Sequence, residues 1–157
     1  MQAKTDHPGV YLPPPLFYVL IFLLSIFMQK EFPLSLRFFH RDIAHISGII
    51  FITIGFTILL PALLKFFKTK NTLITVKPAH SLQTSGIYSF SRNPMYLGLL
   101  MLYIGIAFRI GNIWTFMFIP FVILAVTYFV IFNEEKYLGR TFGNDYSDYR
   151  KKVRRWI

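Results

Sequence analysis

Two short strings hold most of the residues able to do chemistry in this 157-residue chain. The first, SGIYSFSRNPMYLG at 85–98, supplies Tyr88, Arg92, Asn93, Pro94, Met95 and Tyr96. The second, NEEKYLG at 133–139, supplies Glu134 and Glu135. Asn93-Pro94 is a helix start, since Asn can accept from the free N–H groups of a first turn and Pro suits the first helical position. Such a helix N-terminus carries unpaired N–H groups and positive potential, suited to a carboxylate. Two adjacent carboxylates suit an ammonium, a sulfonium or ribose hydroxyls. Tyr88 and Tyr96 could cover an adenine ring or lie over a cation. An amino-acid-bearing nucleoside with a cationic centre fits all three walls, and S-adenosylmethionine is such a molecule.

The two strings are about 40 residues apart, so an element must bring them together. Windows free of Asp, Glu, Lys and Arg cover 7–29, 43–64, 93–108 and 110–133. Each is near the roughly 20 residues that cross a bilayer as a helix. They predict an all-α integral membrane protein with four transmembrane helices, at about 13–29, 43–66, 94–110 and 113–133. One membrane domain then covers 1–157: two N-terminal spans in 1–66, a cytoplasmic cofactor loop at 67–92, a helical hairpin at 93–133 and a cytoplasmic tail at 134–157. Gly111-Asn112 turns the hairpin, and its second helix delivers Glu134 and Glu135 beside Asn93 and Tyr96. Pro13, Pro14 and Pro15 should break any helix before Leu16, leaving the first span as support for the others. Pro61 and Pro120 predict kinks. Ala44, Ser47, Gly48 and Gly55 allow close helix packing in lipid, and His45 is expected to bond a neighbouring helix. In the loop, NTLITV at 71–76 suggests a short extended piece, Pro78 extends Lys77, and Gly86 suggests a tight bend.

Composition agrees with this plan. The chain is 54% apolar with 18 Phe, too greasy for a soluble domain of this length. There is no cysteine, hence no disulfide, thiol nucleophile or Cys-based metal site. The net charge of +10 could suggest nucleic acid, but its distribution points to a membrane surface. Four spans leave only Lys30, Arg37, Arg41 and Arg109 on one side and thirteen Lys and Arg on the other. The positive-inside rule then places both termini and the long loop in the cytoplasm. Lys4 alone before the first apolar run, with no small-residue cleavage site after it, argues against a secretory signal.

Plainer readings of single residues stand beside this. Arg92 can be a positive-inside anchor, Tyr88 and Tyr96 interfacial belt residues, Asn93 only a cap, and Glu134-Glu135 a solvated helix end. It is the combination at hairpin spacing that favours a site. The tail NDYSDYRKKVRRWI puts Tyr146, Tyr149, Val153 and Trp156 on one helical face, with the cations mostly elsewhere. That pattern reads as an amphipathic helix on an anionic leaflet, with a generic basic tail or closure of the cofactor site as the other readings.

The string HSLQTSGIYSFSRNPMYLG at 80–98, an apolar hairpin, then EEKYLGRTFGNDYSDYRKKV at 134–153 resembles the isoprenylcysteine carboxyl methyltransferase family. That family belongs to a wider group of small membrane methyltransferases that includes phospholipid methyltransferase-like proteins. The resemblance covers about 70–157. It implies S-adenosylmethionine as cofactor, contacted by His80, Leu82, Gln83, Tyr88, Asn93, Pro94, Met95, Tyr96 and Glu134. It also implies a lipophilic small-molecule, lipid or prenylated acceptor arriving from the bilayer. Two positions depart from the family pattern: Asn93 stands for its His, and Val130 for the Arg that meets a substrate carboxylate. A lipid, isoprenoid or small lipophilic nucleophile is therefore as open as a prenylcysteine carboxylate.

Methyl transfer from a sulfonium is an in-line displacement that needs alignment and exclusion of bulk water. A carboxylate acceptor needs no base. An amine, thiol or phenol needs one, for which Glu135 and the tyrosines are poor candidates. The catalytic assignment is accordingly to positioning, by Arg92, Tyr96 and Glu135. Two other classes compete. A membrane scaffold or transporter subunit is disfavoured by the absence of any mid-membrane acidic relay. A nicotinamide-dependent reductase of sterol-reductase type lacks the extra basic residues and a dinucleotide glycine fingerprint.

Overall fold

The structure, a computed structural model, describes residues 9–10, 12–36, 39, 41–68 and 81–157. The expected extended piece at 71–76, the Lys77-Pro78 step and the candidate cofactor residue His80 lie outside the described residues. Every regular element among the described residues is helical: α1 (Pro14–Glu31), α2 (Asp42–Lys68), a 3-10 turn (Gly86–Ser89), α3 (Pro94–Ile110), α4 (Ile113–Met117), α5 (Ile119–Val126), a π-helical turn (Thr127–Ile131) and α6 (Phe132–Lys152). Two helices are long and apolar enough to cross a membrane, α1 and the Asp42–Lys65 part of α2, whereas α3 has 17 residues.

Proline acts differently at the two ends of this series. The first helix begins at Pro14 rather than after Pro15, with Pro13 as its N-cap. The missing proline N–H groups are among those a helix start leaves unpaired in any case. Pro120 does interrupt its segment. The expected return helix over 113–133 is relayed instead, with α4 ending before Phe118, α5 restarting at Ile119 and a π turn following. The hairpin bend is as expected: Gly111 ends α3 in the left-handed conformation at φ 66°, and the Asn112 side chain caps α4 by accepting from the Thr115 N–H.

Helix α2 lies against α3 at backbone contact. A Cβ on Gly98 would sit 3.0 Å from the Gly55 carbonyl oxygen, and one on Gly105 would sit 2.8 Å from that of Gly48. Both pairs repeat at seven residues, so small residues line one face of each helix and let the axes approach. Ala44 is fully buried, as its size suggested. Gly48 and Gly55 were legible as packing residues; their partners Gly98 and Gly105 were hidden within the α3 run. His45 leaves Nδ1 buried without a partner, so the expected interhelical bond does not form at that atom. Gly98→Val should lower stability by about 1–3 kcal/mol through overpacking. Thermal unfolding in detergent checks this, and an unchanged midpoint would mean that the helices are not held at this distance.

The core lies between α1, α3 and the α5–π segment, around Tyr18, Tyr96, Leu100, Tyr103, Val122, Val126, Val130 and Ile131. Large apolar side chains elsewhere face outwards, among them Leu23 and Phe27 of α1, Ile46 and Leu64 of α2, and Phe121 and Leu124 of α5. Such a surface suits an apolar surrounding. At Gly143 (φ 51°, ψ −119°) α6 kinks, in a conformation suited to glycine, and its second arm turns back towards residues 81–93.

Candidate functional site

The hairpin brings the two polar strings together. Tyr96, in the first turn of α3, donates its hydroxyl to Glu134 Oε1 at 2.7 Å, across 38 residues of sequence. Tyr96 is itself held from α1, where the Tyr18 hydroxyl donates to its carbonyl at 2.8 Å. Burial pushes the Glu134 carboxyl up to about 7, against the lowering effect of the Tyr96 bond and with help from the charge of Glu135. Among the described residues no cation pairs with Glu134. Tyr88 lies nearby. Its hydroxyl is buried without a partner among the described residues, and burial above all, then Tyr149 and Glu134, holds it well above the usual phenol range. The Lys65 ammonium stands 5.9 Å from the centre of the Tyr88 ring and bonds the carbonyl and hydroxyl of Ser85, tying the end of α2 to this turn.

Glu135 faces a different set of groups. Arg155 grips it with two bonds, Nε to Oε1 at 2.9 Å and Nη2 to Oε2 at 2.8 Å. Arg92 reaches the same Oε1 from Nη1 at 3.2 Å, and also donates to the Tyr146 hydroxyl at 3.3 Å. The carboxylates are adjacent in sequence yet serve different neighbours, because successive residues on a helix point about 100° apart. Glu134 therefore faces the Tyr96 side alone, and Glu135 closes an ion cluster.

Asn93 occupies the N-cap position of α3, but its side chain makes no capping bond. Its amide nitrogen donates instead to the Arg155 carbonyl at 2.9 Å. The Ser91 hydroxyl donates to the same oxygen at 3.3 Å, and the Arg92 N–H donates to the Arg154 carbonyl at 3.0 Å. These bonds clamp the chain end to the start of α3. The face Tyr146, Tyr149 and Val153 packs with Leu82, Leu138 and Phe142, and the Tyr149 hydroxyl donates to the Tyr88 carbonyl at 2.6 Å. Trp156 packs on the main core. The periodic face of the tail is therefore buried inside the protein rather than free to lie on a leaflet.

Of the other sequence candidates, Pro94 is buried and Met95 packs on the core. Leu82 lies under the tail, and the Gln83 amide donates to the Ser81 hydroxyl at 2.8 Å. Tyr18, Ser91 and Arg155 join the site without having been singled out for it, while Tyr146 and Tyr149 belong to the tail face for which closure of the site was one of the readings. The aromatic periodicity of the tail is the signal that points to the two tyrosines. Nothing among the five cations at 150–155 distinguishes Arg155.

Residues 43–145 match the phospholipid methyltransferase family. An uncharacterized protein of Haemophilus influenzae is 38% identical over 63 residues, which are 40% of this chain and all of that protein. The protein-S-isoprenylcysteine O-methyltransferase of Schizosaccharomyces pombe is 36% identical over 74 residues, which are 47% of this chain and 31% of that enzyme. The chain thus aligns with under a third of the yeast protein. No solved structure matches it.

Proposed function

Because the chain belongs to the phospholipid methyltransferase family, we propose that it transfers a methyl group from S-adenosylmethionine to a lipophilic acceptor at a membrane. The observation that carries this reading is the Tyr96–Glu134 pair, in which a half-buried carboxyl is oriented by a phenol and has no cationic partner among the described residues. The unpartnered Tyr88 hydroxyl and the uncapped first turn of α3 beside it add a free polar atom and a seat for an anion. Bound there, S-adenosylmethionine would supply an electrophilic methyl group. Glu134 would meet its cationic groups, the N–H groups opening α3 its carboxylate, and Tyr88 and Tyr96 its ring or sulfonium. Leu82, Gln83, Asn93, Pro94 and Met95 would complete the wall, together with His80.

The chain's own residues contribute alignment. Glu135 is neutralised by two guanidiniums and the Tyr96 proton is held by Glu134, so neither is a free base. Val130, where related enzymes place an Arg, is fully buried in the core. This supports a lipid, isoprenoid or small lipophilic nucleophile over a prenylcysteine carboxylate. The proposed placement is four spans with both termini and the site on the cytoplasmic face, as the charge distribution suggests. The test is transfer of labelled methyl groups into a total membrane-lipid and prenyl-thiol extract, with the labelled product identified. Absence of any labelled product, with no binding of S-adenosylhomocysteine by calorimetry, would sink the reading.

A pH dependence follows from Glu134. Its folded value of about 7 lies above that of an unfolded carboxylate at about 4.3. The stability contributed by this group is therefore full below the unfolded value and lost as pH rises through 7. Affinity for a cationic ligand runs the other way, increasing between roughly pH 6 and 8 as the carboxyl ionises. Calorimetric titration with S-adenosylmethionine should show this rise, and Glu134→Gln should flatten it.

A further inference from the structure

Glu135 brings one negative charge to two guanidiniums. Its partners Arg92 and Arg155 have side chains only 9% and 29% exposed, and Glu135 itself is 10% exposed. Neither arginine has another acidic partner among the described residues. Glu134 does not balance the excess, since it faces Tyr96. Arg92 Nε is buried without any hydrogen-bond partner among the described residues, and Tyr146, which accepts from Arg92, keeps its own proton to give. A buried cluster with one cation in excess and an unused donor is costly by itself. The same arrangement is a receptor for an anion, because guanidinium forks match phosphate oxygens.

The surroundings select the kind of anion. Arg155 is the open edge of the cluster, and its guanidinium lies over the Phe132 ring at 4.7 Å. Phe132 meets Tyr128 edge to face at 5.1 Å, and Tyr128 and Phe129 are 60% and 63% exposed. The guanidinium thus stands at the polar end of an outward-facing aromatic row, the arrangement of a membrane–water interface. We propose that Arg92 and Arg155, with Tyr146, bind one phosphate of an anionic lipid headgroup at the polar end of the hairpin. The lipid enters past Arg155, lays its acyl chains along the Tyr128–Phe129 face, and supplies the missing negative charge. Bound so, it ties the chain end to the start of α3. The assignment rests on the membrane placement of the hairpin and not on methyl transfer, so either can fail while the other stands.

The test uses the full chain in phosphatidylcholine nanodiscs, with thermal unfolding as the readout. Phosphatidylglycerol doped into the discs should raise the midpoint, and millimolar inorganic phosphate in neutral discs should not. Arg155→Gln should weaken the lipid response roughly tenfold in the lipid fraction required, as expected for losing a charge-assisted contact. Should that variant fail to fold, Arg155→Lys keeps the charge opposite Glu135, loses the fork and should weaken the response several-fold. A double Lys151→Gln, Lys152→Gln variant, which removes exposed charge from the same tail, should respond as wild type. The proposal is overturned if Arg155→Gln or Arg155→Lys responds as wild type, if the lysine variant loses the response, or if inorganic phosphate alone reproduces it. A calorimetric titration with S-adenosylhomocysteine runs in parallel. Donor binding without a lipid response sinks the phosphate site alone.

Discussion

Replacing Glu134 or Tyr96 with alanine should abolish measurable binding of S-adenosylhomocysteine to the detergent-solubilised protein. Each residue is half of a partly buried pair at 2.7 Å, so either change removes a ligand contact and leaves its partner unmatched. Losing a charge-assisted ligand contact and leaving a hydrogen-bonding group unmatched together cost about 2–5 kcal/mol, or roughly 30- to 5000-fold in affinity. Tyr96→Phe isolates the hydroxyl: the ring stays in the core while Glu134 loses its orienting donor. An intermediate loss of about 1.5–3 kcal/mol is expected there. Wild-type affinity in the two alanine variants, with intact wild-type binding, would remove this pair from the donor site.

The second large effect concerns folding. Glu135→Ala strands Arg92 and Arg155 without their counter-charge, and breaking such a buried pair costs about 3–5 kcal/mol. Partial exposure of Arg155 places the expected loss at the lower end. The damage should be local. The clamp from Arg154 and Arg155 to Ser91, Arg92 and Asn93 should open, and the second arm of α6 should become susceptible to protease while the α2–α3 contact survives. Thermal unfolding with limited proteolysis of the tail reads both. A loss under ~1 kcal/mol would show that the cluster does not hold the chain end.

The legible and illegible parts differ in physical kind. Charge-free runs, the Asn93-Pro94 start and the Gly111-Asn112 bend depend on local rules, and they suffice to place Tyr96 against Glu134 once the hairpin closes. Local rules also mislead in places. Three prolines read as a delayed helix start when they form the start itself, and Asn93 reads as a cap when its amide is spent on the chain end. The tail shows why a periodic face is ambiguous. Tyr146, Tyr149 and Val153 have the same spacing whether they meet a leaflet or Leu82 and Phe142, and only the turn at Gly143 selects the second. Likewise, Glu134-Glu135 reads as one acidic wall until the helix points the two side chains at different neighbours.

The sequence by itself determined the helical class, the apolar segments, the pairing of residues 93–96 with 134 and the chemistry that such a pairing suits. Those features follow from composition, chain-local capping and a short loop. The tertiary structure decided that Glu135 closes a cluster with Arg92 and Arg155, that Tyr88 keeps an unpartnered hydroxyl, and that the chain end lies across the start of α3. Those contacts join residues 20 to 64 positions apart through side chains whose direction depends on a kink and a π turn. No local spacing rule encodes that direction, because packing against α1 and α3 sets it.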